Sequence, residues 1–460
     1  MARPAVLTFC GAAGGVTGSC YHLAVDGAAL VIDCGVFQGE RDADDRNRGR
    51  FPFEPAGVAA VVLTHGHLDH VGRLPRLGRR FTGPVLGHPA TLDIARLILE
   101  DSAKVAIHAD REPLYGPDEV AAVAAQMQAI GYGRSQAIGP FTVSLHDAGH
   151  ILGSASVRVA WRDGGVERAI LFSGDLGRAG TPILRDPNLR WEPVRDGVDW
   201  IVTESTYGDR RHPDREESRR AFRDVVQRAL DDGGKVLIPA FSIGRTQEIL
   251  YELNAMVETG ELRGIPVVVD GPLGLSATAL YERYRDCWDA EALALLRRGD
   301  KPLDFDHLFE ARGAKQSAQV AHIDGPAIVI AGSGMCQGGR IRRHLRDHLS
   351  DSRTDLLLVG YQAQGTLGRD LQDGRAEVWI DGAAVRVRAR VTTISGFSAH
   401  ADRDELLDWF AAAPLRRGGG AFITHGEDTA AAAYAAALRD RTGVAARVPA
   451  LGDAVELARA

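Results

Sequence analysis

The 460-residue sequence predicts an α/β protein, a layered α/β sandwich interrupted by an inserted domain with a parallel sheet. Three observations predict this. Short β-runs ending in polar residues and glycine fill residues 1–206. From 207 to 370 strand-like and helix-like runs alternate, the pattern of a parallel sheet wound with helices. From 371 to 460 an alternating run is followed by two helical patterns, and this segment is expected to complete the first domain after the insert.

In the first segment the strand candidates are "ALVIDCG" (29–35), "AAVVLTHG" (59–66), "FTVSLHDAG" (141–149), "ASVRVAW" (155–161), "RAILFSGDLG" (168–177) and "DWIVTEST" (199–206). Apolar spacing predicts a helix over 89–110, and an alanine-rich stretch predicts another over 117–130. In the insert, "KVLIPAF" (235–241) precedes a helical run at 246–257 and "PVVVDGP" (266–272) one at 278–286. "AIVIAGSG" (327–334) precedes a helical run at 340–349, and "DLLLVGYQ" (355–362) closes the series. After it, "VRVRARVTTISG" alternates, and "ELLDWFAAAP" and "TAAAAYAAALRDRTG" read as helices.

Bulk properties remove several classes. At 45% hydrophobic and 25% charged the chain is an ordinary globular protein. It has no run of about 18 apolar residues, so no membrane span is expected, and no signal peptide is read. Five widely spaced cysteines without C-x-x-C argue against a disulfide framework or zinc ribbon and fit a reducing cytoplasm. A formal charge of -7 excludes steering onto nucleic acid by a whole-molecule positive field; a polyanion needs a local groove or metal ions.

The chemistry concentrates at polar ends of strands. "VVLTHGHLDHVG" carries His65, His67, Asp69 and His70 directly after an apolar run. Side chains two apart in extended backbone point the same way, so His65 and His67 can converge on one ion. Four such groups in one turn exceed one closed tetrahedral site, which suggests two metals with further ligands from elsewhere. His150, Asp175 and His425 each stand just past another strand-like run, and Asp33 in "VIDCG" is expected to orient a histidine from behind.

With these residues in view, the chain resembles the metallo-β-lactamase-fold hydrolases. "VTESTYG" with Glu204 before the insert and "SGFSAHAD" with His400 after it make it similar to the β-CASP nucleases. That group contains mRNA 3′-end-processing endonucleases and bacterial RNase J. The stand-alone bacterial members are the nearest in kind, and "GAAGGVTGSC", "AGSGMCQGGR" and "GYQAQGTLGRDL" also look like family segments. The resemblance implies a metallo-β-lactamase αββα sandwich with an inserted β-CASP domain. It implies one zinc at His65, His67 and His150, a second at Asp69, His70 and His425, and Asp175 between them. Mn2+ or Fe could substitute with such N/O ligands.

The resemblance further implies hydrolysis of single-stranded RNA in a cleft between the domains. Two metals would activate water, leaving 3′-hydroxyl and 5′-phosphate ends, with internal cutting favoured. His400 is the expected general acid, Glu204 its orienting carboxylate, and Asp69 an acceptor for the nucleophile's proton. Ser398, Ser333, Gly334 and Arg369 are candidate phosphate contacts. Alternatives are a DNA nuclease of the same superfamily, a lactonase- or thioesterase-type small-ester hydrolase, or a non-enzymatic RNA-binding scaffold. Oligomeric state is not legible; a homodimer is compatible.

Overall fold

The computed structural model describes residues 4–39, 42–108 and 112–457. The chain forms two compact units: residues up to Arg211 together with those from His400 onward, and the intervening His212–Ala399.

The first unit opens with strands β1 (Val6–Phe9), β2 (Tyr21–Val25), β3 (Ala28–Ile32), β4 (Val58–Val62), β5 (Val85–Gly87) and β6 (Met127–Ala129). It continues with β7 (Ser135–Ile138), β8 (Phe141–Asp147), β9 (Ala155–Asp163), β10 (Val166–Phe172) and β11 (Val198–Thr203). Helices α1 (Ala43–Arg48), α2 (Leu68–Val71), α3 (Pro89–His108), α4 (Pro117–Ala124) and α5 (Pro193–Asp196) join them. The second unit contains β12 (Lys235–Pro239), β13 (Val267–Asp270), β14 (Leu308–Ala311), β15 (Ala327–Ala331) and β16 (Asp355–Leu358). Its last strands are β17 (Glu377–Ile380), β18 (Ala383–Arg386) and β19 (Arg390–Thr393). Its helices are α6 (Arg215–Asp232), α7 (Arg245–Glu258), α8 (Pro272–Arg283), α9 (Ala290–Arg297), α10 (Ala314–Val320), α11 (Ile341–His348) and α12 (Leu367–Gln372). The chain then returns to the first unit through α13 (Arg403–Ala412), β20 (Leu415–Ile423), α14 (Asp428–Thr442), β21 (Ala446–Arg447) and β22 (Ala454–Glu456).

Two seven-stranded sheets build the first unit, in the orders β22-β1-β2-β3-β4-β5-β6 and β21-β20-β11-β10-β9-β8-β7. Alternating residues of both sheets meet in one core, Leu7, Phe9, Leu23 and Ile32 against Phe141, Val157, Ile170 and Phe172. The far face of the second sheet buries Leu171, Ile201 and Ile423 under Leu406, Trp409 and Phe410 of α13 and Tyr434 and Leu438 of α14. On the other side α3 packs on β5 and β6. The result is helix, sheet, sheet, helix. The second unit holds a six-stranded sheet, β14-β13-β15-β12-β16-β19, in which every pairing is parallel.

Strand direction explains where a site can form. β3 and β4 are parallel, as are β10, β11 and β20. β8 runs antiparallel to β9, and β9 antiparallel to β10, so β8 points with β10. The segments after β8, β10, β11 and β20 therefore leave their sheet at the same edge, as do those after β3 and β4 in theirs.

Two sequence expectations are corrected. The helix expected over 117–130 ends at Ala124, because Met127–Ala129 pairs in parallel with β5, and sheet pairing outweighs alanine's helical preference. The second unit also runs past 370, to Ala399. The alternation after 370 supplies the β17–β18 hairpin, whose Val378, Ile380 and Val385 join the core of that unit, and β19, which extends its sheet beside β16. The end of the helix expected over 89–110 lies outside the described residues.

Phe141 is 1% exposed between the sheets. We expect Phe141→Ala to destabilise the first unit by about 3–5 kcal/mol, read from the shift of its denaturant unfolding transition.

Candidate metal centre

Past Val62 the chain leaves β4 through Thr64, His65 and Gly66, and His67 opens the single turn of α2. His67 keeps extended backbone while Asp69 and His70 lie in the helical turn. One short segment thus presents side chains in two directions. The nitrogen His67 Nδ1 lies 3.1 Å from His65 Nε2 and 3.3 Å from His150 Nε2. Asp175 Oδ2 stands 3.5 Å from His65 Nε2 and 3.7 Å from His150 Nε2. The other oxygen, Asp175 Oδ1, lies 3.4 Å from His70 Nε2 and 3.5 Å from His425 Nε2. Asp69 Oδ2 is 3.6 Å from His425 Nε2 and 3.9 Å from His70 Nε2. All seven side chains proposed from sequence as ligands are brought together in two groups, His65, His67, His150 and Asp175, and Asp69, His70 and His425, with the second Asp175 oxygen turned to the latter.

The supporting contacts fix which nitrogen faces inward. Asp33 Oδ2 lies 2.7 Å from His70 Nδ1, and its two oxygens accept the Thr64 amide at 2.8 Å and hydroxyl at 2.7 Å. With its proton given to Asp33, Thr64 Oγ1 is left to accept from His65 Nδ1 at 3.1 Å. Thr206 Oγ1 lies 3.1 Å from His425 Nδ1. Each of these imidazoles is tethered through Nδ1, and its Nε2 points at the shared carboxylate. Asp33 and His425 both hold left-handed backbone, with φ of 58° and 49°, a conformation that non-glycine residues adopt at some cost and that clusters at functional sites. Gly35 is required by close approach, since a Cβ there would lie 1.5 Å from the Asp69 carbonyl oxygen.

Glu204 follows β11 and His400 follows the second unit in the chain. His400 Nδ1 is 3.3 Å from both Glu204 oxygens. Oε1 of Glu204 also accepts the Leu176 amide at 2.6 Å, which holds the carboxylate beside Asp175. The His400 ring lies 4.5 Å from that of His150, so the dyad borders the first group of candidate ligands.

Three sequence models match the chain: the metallo-beta-lactamase superfamily over residues 13–227, the Beta-Casp domain over 246–371, and the Zn-dependent metallo-hydrolase RNA specificity domain over 384–449. The ribonuclease TTHA0252 of Thermus thermophilus is 40% identical over 91% of this chain and 92% of its own length. The chain belongs to the β-CASP family of metallo-β-lactamase-fold hydrolases. The transcription termination factors FttA of Pyrococcus abyssi and Methanocaldococcus jannaschii are 33% and 32% identical. They align with 86% and 88% of this chain, which spans 62% and 64% of their lengths. A crystal structure of a protein of unknown function from Enterococcus faecalis V583 shares the fold, with a TM-score of 0.57 at 13% identity over 99% of this chain and 100% of that one.

The residues of this β-CASP hydrolase fit a divalent metal. Among the described residues Asp33, Asp69, Asp175 and Glu204 form ion pairs with imidazoles and with no lysine or arginine. Asp175 Oδ1 is buried without a hydrogen-bond donor. A cation bound at about 2.0–2.1 Å by tetrahedral ligands sets them about 3.3–3.4 Å apart, and the separations here run from 3.1 to 3.9 Å around that value. Buried carboxylates in such surroundings need a cation.

Sequence reasoning missed Thr64, Thr206 and Ser19, whose Oγ lies 3.4 Å from His70 Nε2. Thr64 and Thr206 stand next to named residues, and a hydroxyl beside a ligand is the signal that marks them. Ser19 lies within "GAAGGVTGSC", a segment singled out without a role for this residue. The four candidate phosphate contacts belong to the second unit and are engaged there. Ser333 Oγ accepts the Gly338 amide at 3.2 Å, and the Gly334 carbonyl accepts Gln362 Nε2 at 3.0 Å. Arg369 Nε donates to Asp373 at 2.9 Å, and the Ser398 amide donates to Ser395 at 3.1 Å. The arginines of "RIRRHLRDH" are likewise ion-paired: Arg340 with Asp270, Arg342 with Asp381, Arg343 and Arg346 with Asp347.

Burial works against charge on His70, but the carboxylates of Asp175, Asp33 and Asp69 outweigh it and hold the imidazole well above its ordinary range. His425 is raised against burial by Asp175 and Asp69. In the metal-free protein these rings keep protons that a cation must displace. Affinity for a divalent metal therefore rises with pH, and calorimetry in buffers of different protonation enthalpy should show proton release on binding. Asp175→Asn removes the carboxylate that both groups share. We expect it to lower bound metal by elemental analysis after dialysis, and full metal content in that variant would contradict the sharing.

Proposed function

We propose that the chain is a zinc-dependent ribonuclease that hydrolyses phosphodiester bonds within single-stranded RNA. The observation that carries this is the division of the Asp175 carboxylate between two histidine groups, with the Glu204–His400 dyad alongside. His65, His67 and His150 would hold one zinc, Asp69, His70 and His425 the other, and Asp175 both. When bound, two such ions neutralise a phosphate oxygen and bring the pKa of water toward about 7. RNA is supported by the names of the relatives, a ribonuclease and transcription termination factors, and by the RNA specificity description of the segment 384–449.

The chain's own residues supply the proton movements. His400 has the 3′-oxygen leaving group as its target. Burial opposes charge on this imidazole, but the charge and hydrogen bond of Glu204, with the charges of Asp175 and Asp69, raise it to about 9. It therefore holds a proton at neutral pH, as a general acid must. Because Nδ1 faces Glu204, Nε2 is the nitrogen that would donate. Asp69, part-exposed at the centre, would accept the nucleophile's proton. Ser398 and the backbone at Ser333 and Gly334 would hold flanking phosphates. Arg369 could exchange its exposed partner Asp373 for a phosphate, since surface ion pairs are weak. No helix among the described residues is long and apolar enough to cross a membrane, and none of the five cysteines is in a disulfide. A cytoplasmic location is in keeping with the similarity to a ribonuclease.

End-labelled RNA should yield internal products with 5′-phosphates, whereas matched single-stranded DNA should resist. His400→Ala should lower cleavage by about 100- to 10,000-fold with metal content unchanged. Equal cleavage of DNA would overturn the choice of RNA, and full activity in His400→Ala would remove the proposed acid. Glu204→Gln deletes the charge that keeps His400 protonated. The loss of activity with rising pH should then begin at lower pH than in the unaltered enzyme.

A further inference from the structure

The segment "RAEVWIDGAAVRVRAR", 375–390, alternates with period two and turns back on itself at Asp381–Gly382. Both turn residues have positive φ, 50° and 81°, as a tight two-residue hairpin turn requires. Val378, Ile380 and Val385 face inward and pack with Leu345, Leu349 and Leu371. The opposite parity faces solvent, where Glu377 pairs with Arg386 in the ladder and Trp379 with Ala384. Trp379 is 70% exposed, more than any other large hydrophobic residue among those described. Its cross-strand neighbour is a methyl group, which leaves the ring uncovered. Arg386 shares this face, and Arg388, also exposed, follows two residues on. Neither guanidinium has an ion-pair partner among the described residues, in contrast to the four arginines at 340–346 that carboxylates engage.

An indole held out in water beside two guanidiniums that form no ion pair, one of them with Glu377 opposite it in the ladder, is suited to single-stranded nucleic acid, where a base stacks on the ring and the flanking phosphates meet the cations. A second copy of the chain suits it less. A symmetric contact would set this patch against itself and bring arginine toward arginine. One indole is also far less apolar surface than a stable protein interface buries.

We infer that this face of the β17–β18 hairpin binds the RNA strand, with Trp379 stacking on a base and Arg386 and Arg388 contacting phosphates. The inference rests on the ribonuclease reading and adds a site built from residues of the second unit. It is tested by binding of a fluorescent single-stranded RNA to the full chain carrying His400→Ala, so that the strand stays intact. Trp379→Ala should weaken binding about tenfold, and Trp379→Phe should restore it, because a phenyl ring still stacks. Arg386→Ala with Arg388→Ala should lower the slope of log affinity against log salt by about 1.4. RNA should also quench tryptophan fluorescence, and this quenching should vanish in Trp379→Phe.

Unchanged RNA affinity in Trp379→Ala, with RNA still cut when His400 is present, would overturn this inference and leave the ribonuclease reading standing. A concentration-dependent dimer abolished by Trp379→Ala, with RNA binding unchanged, would assign the face to a second copy and overturn it too. No binding or cutting of RNA by the unaltered protein would overturn both.

Discussion

The buried carboxylate of Asp175 is the constraint on which the site depends. It is 2% exposed, and its two oxygens face different histidine groups. Satisfying both requires His65 and His70, five residues apart, to approach from one segment while His150 and His425 arrive from distant ones. The parallel run of β8, β10, β11 and β20 makes this geometrically possible, since their ends lie at one edge. The two-sheet core beneath holds that edge in place.

Around this carboxylate the polar contacts are layered. Asp33, Thr64 and Thr206 take the Nδ1 side of three imidazoles, so that the opposite nitrogens converge. Such convergence sets His70 Nε2 and His425 Nε2 3.2 Å apart and gathers acids with no lysine or arginine paired to them among the described residues. A divalent cation resolves both problems, and the left-handed backbone of Asp33 and His425 is the conformational cost of reaching that arrangement.

Much of this was legible in the sequence, for local reasons. His65 and His67 lie two apart just past a strand, so their convergence follows from backbone periodicity. Asp175 and His425 end long apolar runs, and such runs announce themselves. The alanine-rich segment at 117–130 misled, because β6 is fixed by pairing with β5 and not by its own residues. The "VRVRARVTTISG" alternation was visible as strand but was assigned to the segment 371–460. Period two says that a strand exists and is silent about which sheet receives it.

What the sequence determined by itself was the inventory: two sheet-rich segments with an α/β insert, a set of metal-type side chains at strand ends, and an acid–imidazole pair flanking the insert. These follow from periodicity and residue chemistry, which act over a few residues. Asp175 between the two groups was expected from the resemblance; only the tertiary structure decided that hydroxyls at 64 and 206 contact their imidazoles and that the arginines at 340–346 are engaged by neighbouring acids. Those outcomes depend on distances between residues far apart in the chain, and strand register and sheet packing set such distances.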